Sequence, residues 1–432
     1  MAQEKKQWVA IIIMIALFAM IAFVTNLCSP MAIIVKNQFG ASNLLAQVGN
    51  YGNFIAYLLM GIPSGMLIKK MGYKKTALLA LLVGIVGILV QWMSGWDSVQ
   101  SFGVYLIGAF IAGFCMCMLN TVVNPMLNIL GGGGNKGNQL IQIGGVFNSS
   151  AAVAVYIIMG ALIGDATKAS IADATPALFI ALAIFIVAFI VILFSKIEEP
   201  QQPVEEKSAT PDKYSAFSFR HFKLGILAIF LYMGIEVGTP TYILQYLTSA
   251  KDAATPGLGM DATIVGLIVA VYWLMMLIGR FVGGAIGGKV SSRAMITVAS
   301  TAAMVLVLFG MFAPVTSTVN VPGIDWANLN LIWAEVPVGI FAFLLVGLCT
   351  SVMWGGIFNM AVEGLGKYTA IASGAFMTMV FGCAVMVAIQ AAVADWTGSF
   401  LTSYIVVVFC AAYLLFYALV GSKNVNTDIK VD

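Results

Sequence analysis

The sequence predicts an all-α integral membrane protein of twelve transmembrane helices in two pseudo-symmetric six-helix bundles. Three observations carry that expectation. The chain is 61% hydrophobic and only 9% charged over 432 residues. Soluble domains carry about 25% charged residues, and a soluble protein of this size cannot clothe its surface with so few. Twelve apolar stretches reach the roughly 20 residues that a bilayer crossing needs. Finally, motifs in the first six stretches recur in the same order in the last six.

In order, the spans are 9–35, 44–68, 76–95, 101–130, 139–164, 176–196, 222–248, 262–289, 293–313, 335–360, 367–395 and 399–420. The first follows Lys5 and Lys6 and is too long for the apolar core of a signal peptide, so it reads as an uncleaved span. Glycines at 284–288 and 339–356 favour close helix contacts over straight helices in spans eight and ten. With both termini cytoplasmic, seventeen of the 21 Lys and Arg residues fall on the cytoplasmic side. Lys36, Lys168 and Lys251 fall outside, and Arg280 lies within span eight. That asymmetry obeys the positive-inside rule.

The polar, proline-containing stretch 197–222 reads as a cytoplasmic tether. It divides the chain into an N-terminal bundle, 1–196, and a C-terminal bundle, 223–432. The external segment Ala313–Ala334 reads as an ordered loop or short interfacial helix. All six cysteines lie in apolar stretches as small packing residues, and His221, beside Arg220 and Lys223, reads as solvated or interfacial.

The halves repeat weakly. Span one carries Asn26–Pro30 (NLCSP) where span seven carries Glu236–Pro240 (EVGTP). Spans two and eight both run from small residues into a basic turn, at Ser64–Lys75 and Gly283–Arg293. Span four reads GFCMCMLNTVVNP from Gly113, and span ten reads GLCTSVMWGGIFN from Gly347. A duplicated six-helix unit of this kind places solute sites near the bilayer midplane in secondary transporters.

Polar side chains inside spans are the informative ones. Glu236 sits mid-span, where a carboxylate costs about 2.5–3.5 kcal/mol, so it reads as an ion-coupling residue. Asn26 and Ser29 share a face of span one, and Asn120 and Asn124 share one of span four. Gln142 and Asn148 lie in span five, Thr239, Tyr242 and Gln245 in span seven, Tyr272 and Trp273 in span eight, and Trp354 and Asn359 in span ten. Amides donate and accept together, which suits vicinal hydroxyls, and aromatic faces cover the C–H face of a sugar ring. The alternative is that such amides hold helices together. Arg280 reads as a gating residue in an inter-helix ion network.

These features resemble the major facilitator superfamily, and within it the fucose/glucose–galactose sugar:cation symporter branch. The turn at Gly65–Lys75 is similar to the superfamily's loop between spans two and three. Branch-level matches are Tyr57–Gly65, Asn124–Pro125, Phe147–Ser149, Glu236–Gly238, Tyr272–Gly284 and Ile357–Thr369. The resemblance implies alternating access and proton- or sodium-coupled uptake of a monosaccharide in a bacterial inner membrane. It also exposes departures. Acids that relatives commonly carry in spans one and four are here Ser29 and Asn120, and a span-five glutamine is Gly145, which leaves room for a larger or N-acylated sugar. Ile68 and Lys69 stand where the loop normally has an acid.

The expected partners are therefore a sugar, a coupling cation and membrane lipid, with no nucleic acid, no cofactor and no metal. An uncoupled facilitator or exporter is the runner-up, and a non-transporting solute sensor is a third reading that the short linker disfavours. An enzyme is excluded by the lack of a nucleophile–base pair, and Gly131–Gly134 lacks the ending of a phosphate loop.

Overall fold

The computed structural model describes residues 2–39, 43–163, 170–197, 214–260, 262–325, 330–429 and 431. Some side chains inside these helices, Ser29 among them, lie outside the described set. The first helices are α1 (Ala2–Phe39), α2 (Asn43–Met93), α3 (Phe102–Leu130), α4 (Gly134–Ile163) and α5 (Thr175–Phe194). There follow α6 (Arg220–Thr248), α7 (Ala262–Ile286), α8 (Ser292–Phe312), α9 (Val338–Ser351) and α10 (Met353–Val362). The last are α11 (Thr369–Thr378), α12 (Gly382–Thr397), α13 (Phe400–Ser403) and α14 (Ile405–Phe416).

Among the described residues, 10 helices are long and apolar enough to cross a membrane. One of them, Phe54–Met93, covers 40 residues, twice a bilayer's need. Gly72 divides it at φ 84°, a left-handed value that a glycine takes without steric cost. Spans two and three are therefore two helices that meet at Gly72 in the basic turn. Span five corresponds to α4, of which only part of the side chains is described.

Contacts group the chain into two compact units. The first is Met1–Phe222 with Val362–Val380 and Asn424–Asp432, and the second is Lys223–Ala361 with Phe381–Lys423. Within the first unit α11, placed in the second half by the sequence reading, packs on α2. A Cβ at Gly61 would collide with the Thr378 side chain and the Gly374 carbonyl, so only glycine allows that approach.

Serines start several helices. Ser101 accepts from Val104 N–H at 3.4 Å and Ser291 from Ala294 N–H at 3.2 Å, satisfying donors that lack a preceding turn. At the far end of α5, Lys74 Nζ donates to the carbonyls of Leu193 (3.1 Å) and Ser195 (2.8 Å). A cation at a helix C-terminus meets both the orphan carbonyls and the negative end of the dipole.

Three elements depart from the sequence reading. The described residues of 313–334 form no helix: β1 (Thr318–Asp325) pairs antiparallel with β2 (Asn330–Pro337), Thr318 opposite Pro337 and Asp325 opposite Asn330. Val319, Val321, Ile332, Trp333 and Val336 supply the β-branched and aromatic content that favours strands. The eleventh span is broken into α11 and α12 by a 3₁₀ turn at Met379–Phe381. His221 is buried rather than solvated, with Nε2 3.0 Å from the Glu363 carbonyl and its ring edge-on to Phe219. The described cysteines, Cys115, Cys117, Cys349, Cys383 and Cys410, are free and buried.

Candidate functional site

A polar cluster of the second unit forms where α6 loses a backbone hydrogen bond and the tenth span is interrupted. Pro240 has no N–H, so the carbonyl of Glu236, four residues earlier on α6, has no helical donor. The Tyr272 hydroxyl of α7 donates to it instead, at 3.1 Å. The same phenol oxygen lies 3.2 Å from Thr350 Oγ1 on α9. Beside Thr350 the tenth span is interrupted between Ser351 and Met353, and the Tyr232 hydroxyl donates to the Thr350 carbonyl at 3.3 Å. A buried backbone carbonyl is costly to leave unpaired; Tyr272 meets that demand at Glu236, while the Thr350 carbonyl accepts from the Val352 N–H as well as from Tyr232.

The charged groups lie inside this frame. Arg280 Nη2 is 4.0 Å from Glu236 Oε1, with side chains 10% and 14% exposed respectively. Tyr232 stands one helical turn before Glu236, on the same face of α6. Two helix approaches fix the geometry. A Cβ on Gly347 would strike the Tyr272 carbonyl, and one on Gly279 would strike the Ser351 side chain. Both glycines let α7 lie backbone-close to α9, which holds Tyr272 and Arg280 against α6. Trp273 stands edge-on to Tyr272, with centroids 5.4 Å apart, and Trp354 lies 6.3 Å from Tyr232. The cluster thus offers one buried ion pair, three hydroxyls and two indoles.

Other expected residues of this unit have partners of their own. Thr239 is buried, its carbonyl accepts from the Tyr404 hydroxyl at 2.8 Å, and its own hydroxyl has no hydrogen-bond partner among the described residues. Tyr242 donates to the Val387 carbonyl at 3.0 Å and packs near Phe400. Gln245 is exposed. The Asn359 amide donates to Ser292 Oγ at 2.9 Å, tying α10 to the start of α8.

The first unit gathers amides. Asn120 Nδ2 donates to the Tyr57 hydroxyl of α2 at 2.6 Å, and Asn124 Nδ2 donates to the Asn120 carbonyl at 2.9 Å and to Asn120 Oδ1 at 3.4 Å. Asn148 Nδ2 of α4 donates to the Phe18 carbonyl of α1 at 2.8 Å. Gln142 is buried in α4. Asn26, half-buried, donates to the Ala22 carbonyl of its own helix at 2.8 Å. Ser29 lies outside the described side chains.

Sequence reasoning missed Tyr57, Tyr232 and Thr350. Tyr232 stands one turn before Glu236, a spacing that puts both on one face. The Glu236 carbonyl is legible as an orphan from Pro240 alone, so a donor from a neighbouring helix was to be expected there.

The family model for the Major Facilitator Superfamily matches residues 13–388. The chain belongs to the Major Facilitator Superfamily. It is accordingly a multi-pass membrane transporter and not an enzyme. A glucose/galactose transporter of Brucella abortus is 27% identical over 430 residues, covering 98% of this chain and 96% of the relative. An L-fucose-proton symporter of Escherichia coli is 20% identical over 446 residues, covering 98% and 95%. The superfamily fold is seen directly in the solved structure of a superfamily transporter, FucP, in the outward conformation. It matches with a TM-score of 0.79 at 20% identity, covering 96% of this chain and 99% of that one. The proton:xylose symporter XylE bound to 6-bromo-6-deoxy-D-glucose matches with a TM-score of 0.71 at 13% identity, covering 96% and 95%.

Proposed function

We propose that this superfamily member takes up a monosaccharide or related sugar by alternating access, in symport with a proton, sodium being the alternative ion. The observation that carries the reading is the buried Glu236 carboxylate, 4.0 Å from Arg280, at a proline-freed turn of α6. A buried acid beside a cation can exist both ionised and neutral, and only a group with two accessible states can couple one flux to another. Names of the relatives support the solute class: glucose/galactose transporters and L-fucose-proton symporters align along nearly the whole chain. The amides Asn120, Asn124 and Asn148 and the indoles Trp273 and Trp354 supply the chemistry a polyhydroxylated ring needs. Two halves, 1–196 and 223–432, joined by 197–222, sit in a bacterial inner membrane with both termini cytoplasmic. The lysine and arginine asymmetry supports that orientation.

A second reading is favoured by one specific observation: Ser29 and Asn120 stand where the sugar symporter branch commonly carries acids. If Glu236 serves only to hold Arg280, the protein is an uncoupled facilitator. Purified protein in proteoliposomes, offered labelled sugars under a proton gradient, a sodium gradient or neither, separates the two. Accumulation above equilibrium under one gradient identifies symport and its ion. Equilibration alone identifies a facilitator, and transport of no sugar in the panel overturns the solute class.

A further inference from the structure

We infer that the seam between α2 and α11, within the first unit, holds an anionic phospholipid, its phosphate on Lys69 and Lys70 and an acyl chain in the groove beside them. The inference goes beyond the transport reading and does not depend on it.

The groove follows from the small residues of the seam. Gly61 and Gly65, one turn apart on α2, face Gly374 and Ala370 of α11. A Cβ on Gly65 would lie 2.6 Å from the Ala370 carbonyl, and one on Gly374 would strike the Gly61 carbonyl. The two backbones therefore touch at these positions. Larger side chains rise beside the line of contact, namely Pro63, Met66 and Leu67 of α2 and Ile371 of α11. With Lys69 and Lys70 they line a groove of about 700 Å³. Small-molecule sites span roughly 300–1,000 Å³. Pro63, Met66 and both lysines are exposed, and Leu67 and Ile371 are half-buried, so the groove opens outward from the helices.

Its two ends differ in chemistry. Residues 63–67 belong to a candidate membrane span, Phe54–Met93, and present only hydrocarbon to the groove. The apolar run of span two ends at Ile68, so Lys69 and Lys70 come at the depth of lipid headgroups, where lysines place their ammonium groups. From Asn43 to Trp96 the sequence has no Asp or Glu, so α2 supplies no counter-charge. On the other side of the seam Lys367 stands four residues before Ile371, its ammonium 5.4 Å from the Tyr368 ring centroid. Glu363 is the one acid in the sequence 362–380 and lies eight residues before Ile371.

Basic pockets between transmembrane helices bind anionic headgroups. A zwitterionic lipid carries a cation beside its phosphate, which the lysines repel. A free phosphate would match the lysines and leave the walls of Met66, Leu67 and Ile371 uncovered, whereas an acyl chain covers them. Charge and apolar surface together select a lipid with net negative charge.

Native mass spectrometry of the purified full chain tests this with dioleoylphosphatidylglycerol against dioleoylphosphatidylcholine, which share their chains and differ in charge. One phosphatidylglycerol stays bound at concentrations that leave phosphatidylcholine unbound. Lys69→Gln with Lys70→Gln weakens that retention about twentyfold, since each lysine near a membrane surface contributes about fivefold, and Lys69→Arg with Lys70→Arg keeps it. Lys251→Gln with Lys423→Gln removes the same charge outside the groove lining and leaves retention unchanged. Equal retention of the two lipids, or equal losses in the two glutamine pairs, overturns the inference.

A second arm tests the chain. Glycerophosphoglycerol, the headgroup without acyl chains, and inorganic phosphate both fail to displace the lipid. Met66→Trp, at an exposed position, fills the groove and weakens retention with both lysines intact. Displacement by either free anion would leave a plain anion site, and retention unchanged in Met66→Trp would put the chain outside the groove; each overturns the inference.

Discussion

The polar residues of the two units differ in kind. In the first, Asn120, Asn124 and Asn148 bond to the Tyr57 hydroxyl and to backbone carbonyls, which are neutral partners. In the second, the ion pair of Glu236 and Arg280 is enclosed by Tyr232, Tyr272 and Thr350. Neutral amides can exchange their hydrogen bonds for those of a solute hydroxyl at little net cost, because each bond contributes only about 0.5–1.5 kcal/mol. A buried ion pair cannot be opened so cheaply, since removing one partner costs about 3–5 kcal/mol. The difference teaches a division of labour: the amide region is suited to recognising a solute, and the charged region to registering an ion.

The largest expected effect tests the charged region. Arg280→Met leaves Glu236 buried beside no cation. The expected outcome is a loss of folded protein matching about 3–5 kcal/mol and no concentrative uptake. Adding Glu236→Gln removes the orphaned charge, so the double variant regains folded protein in a detergent melting assay while uptake stays uncoupled. Glu236→Gln alone folds, exchanges and does not concentrate. A double variant no better folded than Arg280→Met would mean that the pair contributes packing and not charge balance.

The next effect tests how the charged region is held. Gly347→Leu drives a side chain into the Tyr272 carbonyl and forces α7 away from α9. Overpacking of this kind costs about 1–3 kcal/mol. The melting temperature falls, and coupling falls further than exchange because Tyr272 and Arg280 move together. A loss of exchange equal to the loss of coupling would show that this crossing supports the whole bundle and not the ion pair in particular.

The amide region gives a smaller effect. Asn148→Ala strips a donor from the Phe18 carbonyl, a buried acceptor whose loss costs about 1–3 kcal/mol if nothing replaces it. Under the recognition reading, sugar affinity drops about tenfold, which is about 1.4 kcal/mol, while the amount of folded protein changes less. Loss of folded protein in proportion to affinity would reassign Asn148 to holding α1 against α4.

Much of this division was legible in the sequence because hydrocarbon punishes polarity. Glu236 and Arg280 stood out for what they cost, and their helices begin and end close to where apolar run length places them. What escaped notice has a physical reason in each case. Tyr232 and Tyr57 count as aromatic and apolar, so the hydroxyls that make them partners of the Thr350 carbonyl and Asn120 carry no weight in a search for buried polarity. Thr350 matters through its hydroxyl and also through its carbonyl, which every residue has and no sequence distinguishes. The hairpin at 318–337 was hidden by its Pro, Gly and Asn content, although its Val, Ile and Trp residues favour strand. His221 was misread because its neighbours Arg220 and Lys223 are charged, while the groups that bury it come from residues far along the chain, such as Glu363.

The smallest effect separates residues that were predicted together. Asn359 was expected beside the solute on the same span as Trp354, and its amide donates to Ser292 Oγ at 2.9 Å. Interhelical side-chain hydrogen bonds in membranes average about 0.6 kcal/mol, because the unfolded helix finds other partners. Asn359→Ala should therefore lower the melting temperature slightly and leave the apparent sugar affinity within about twofold, while Trp354→Ala removes a ring from beside Tyr232 and weakens affinity more. Equal losses of affinity in the two variants would extend the solute site along α10 to Asn359 and reduce the weight given to the Tyr232 contact.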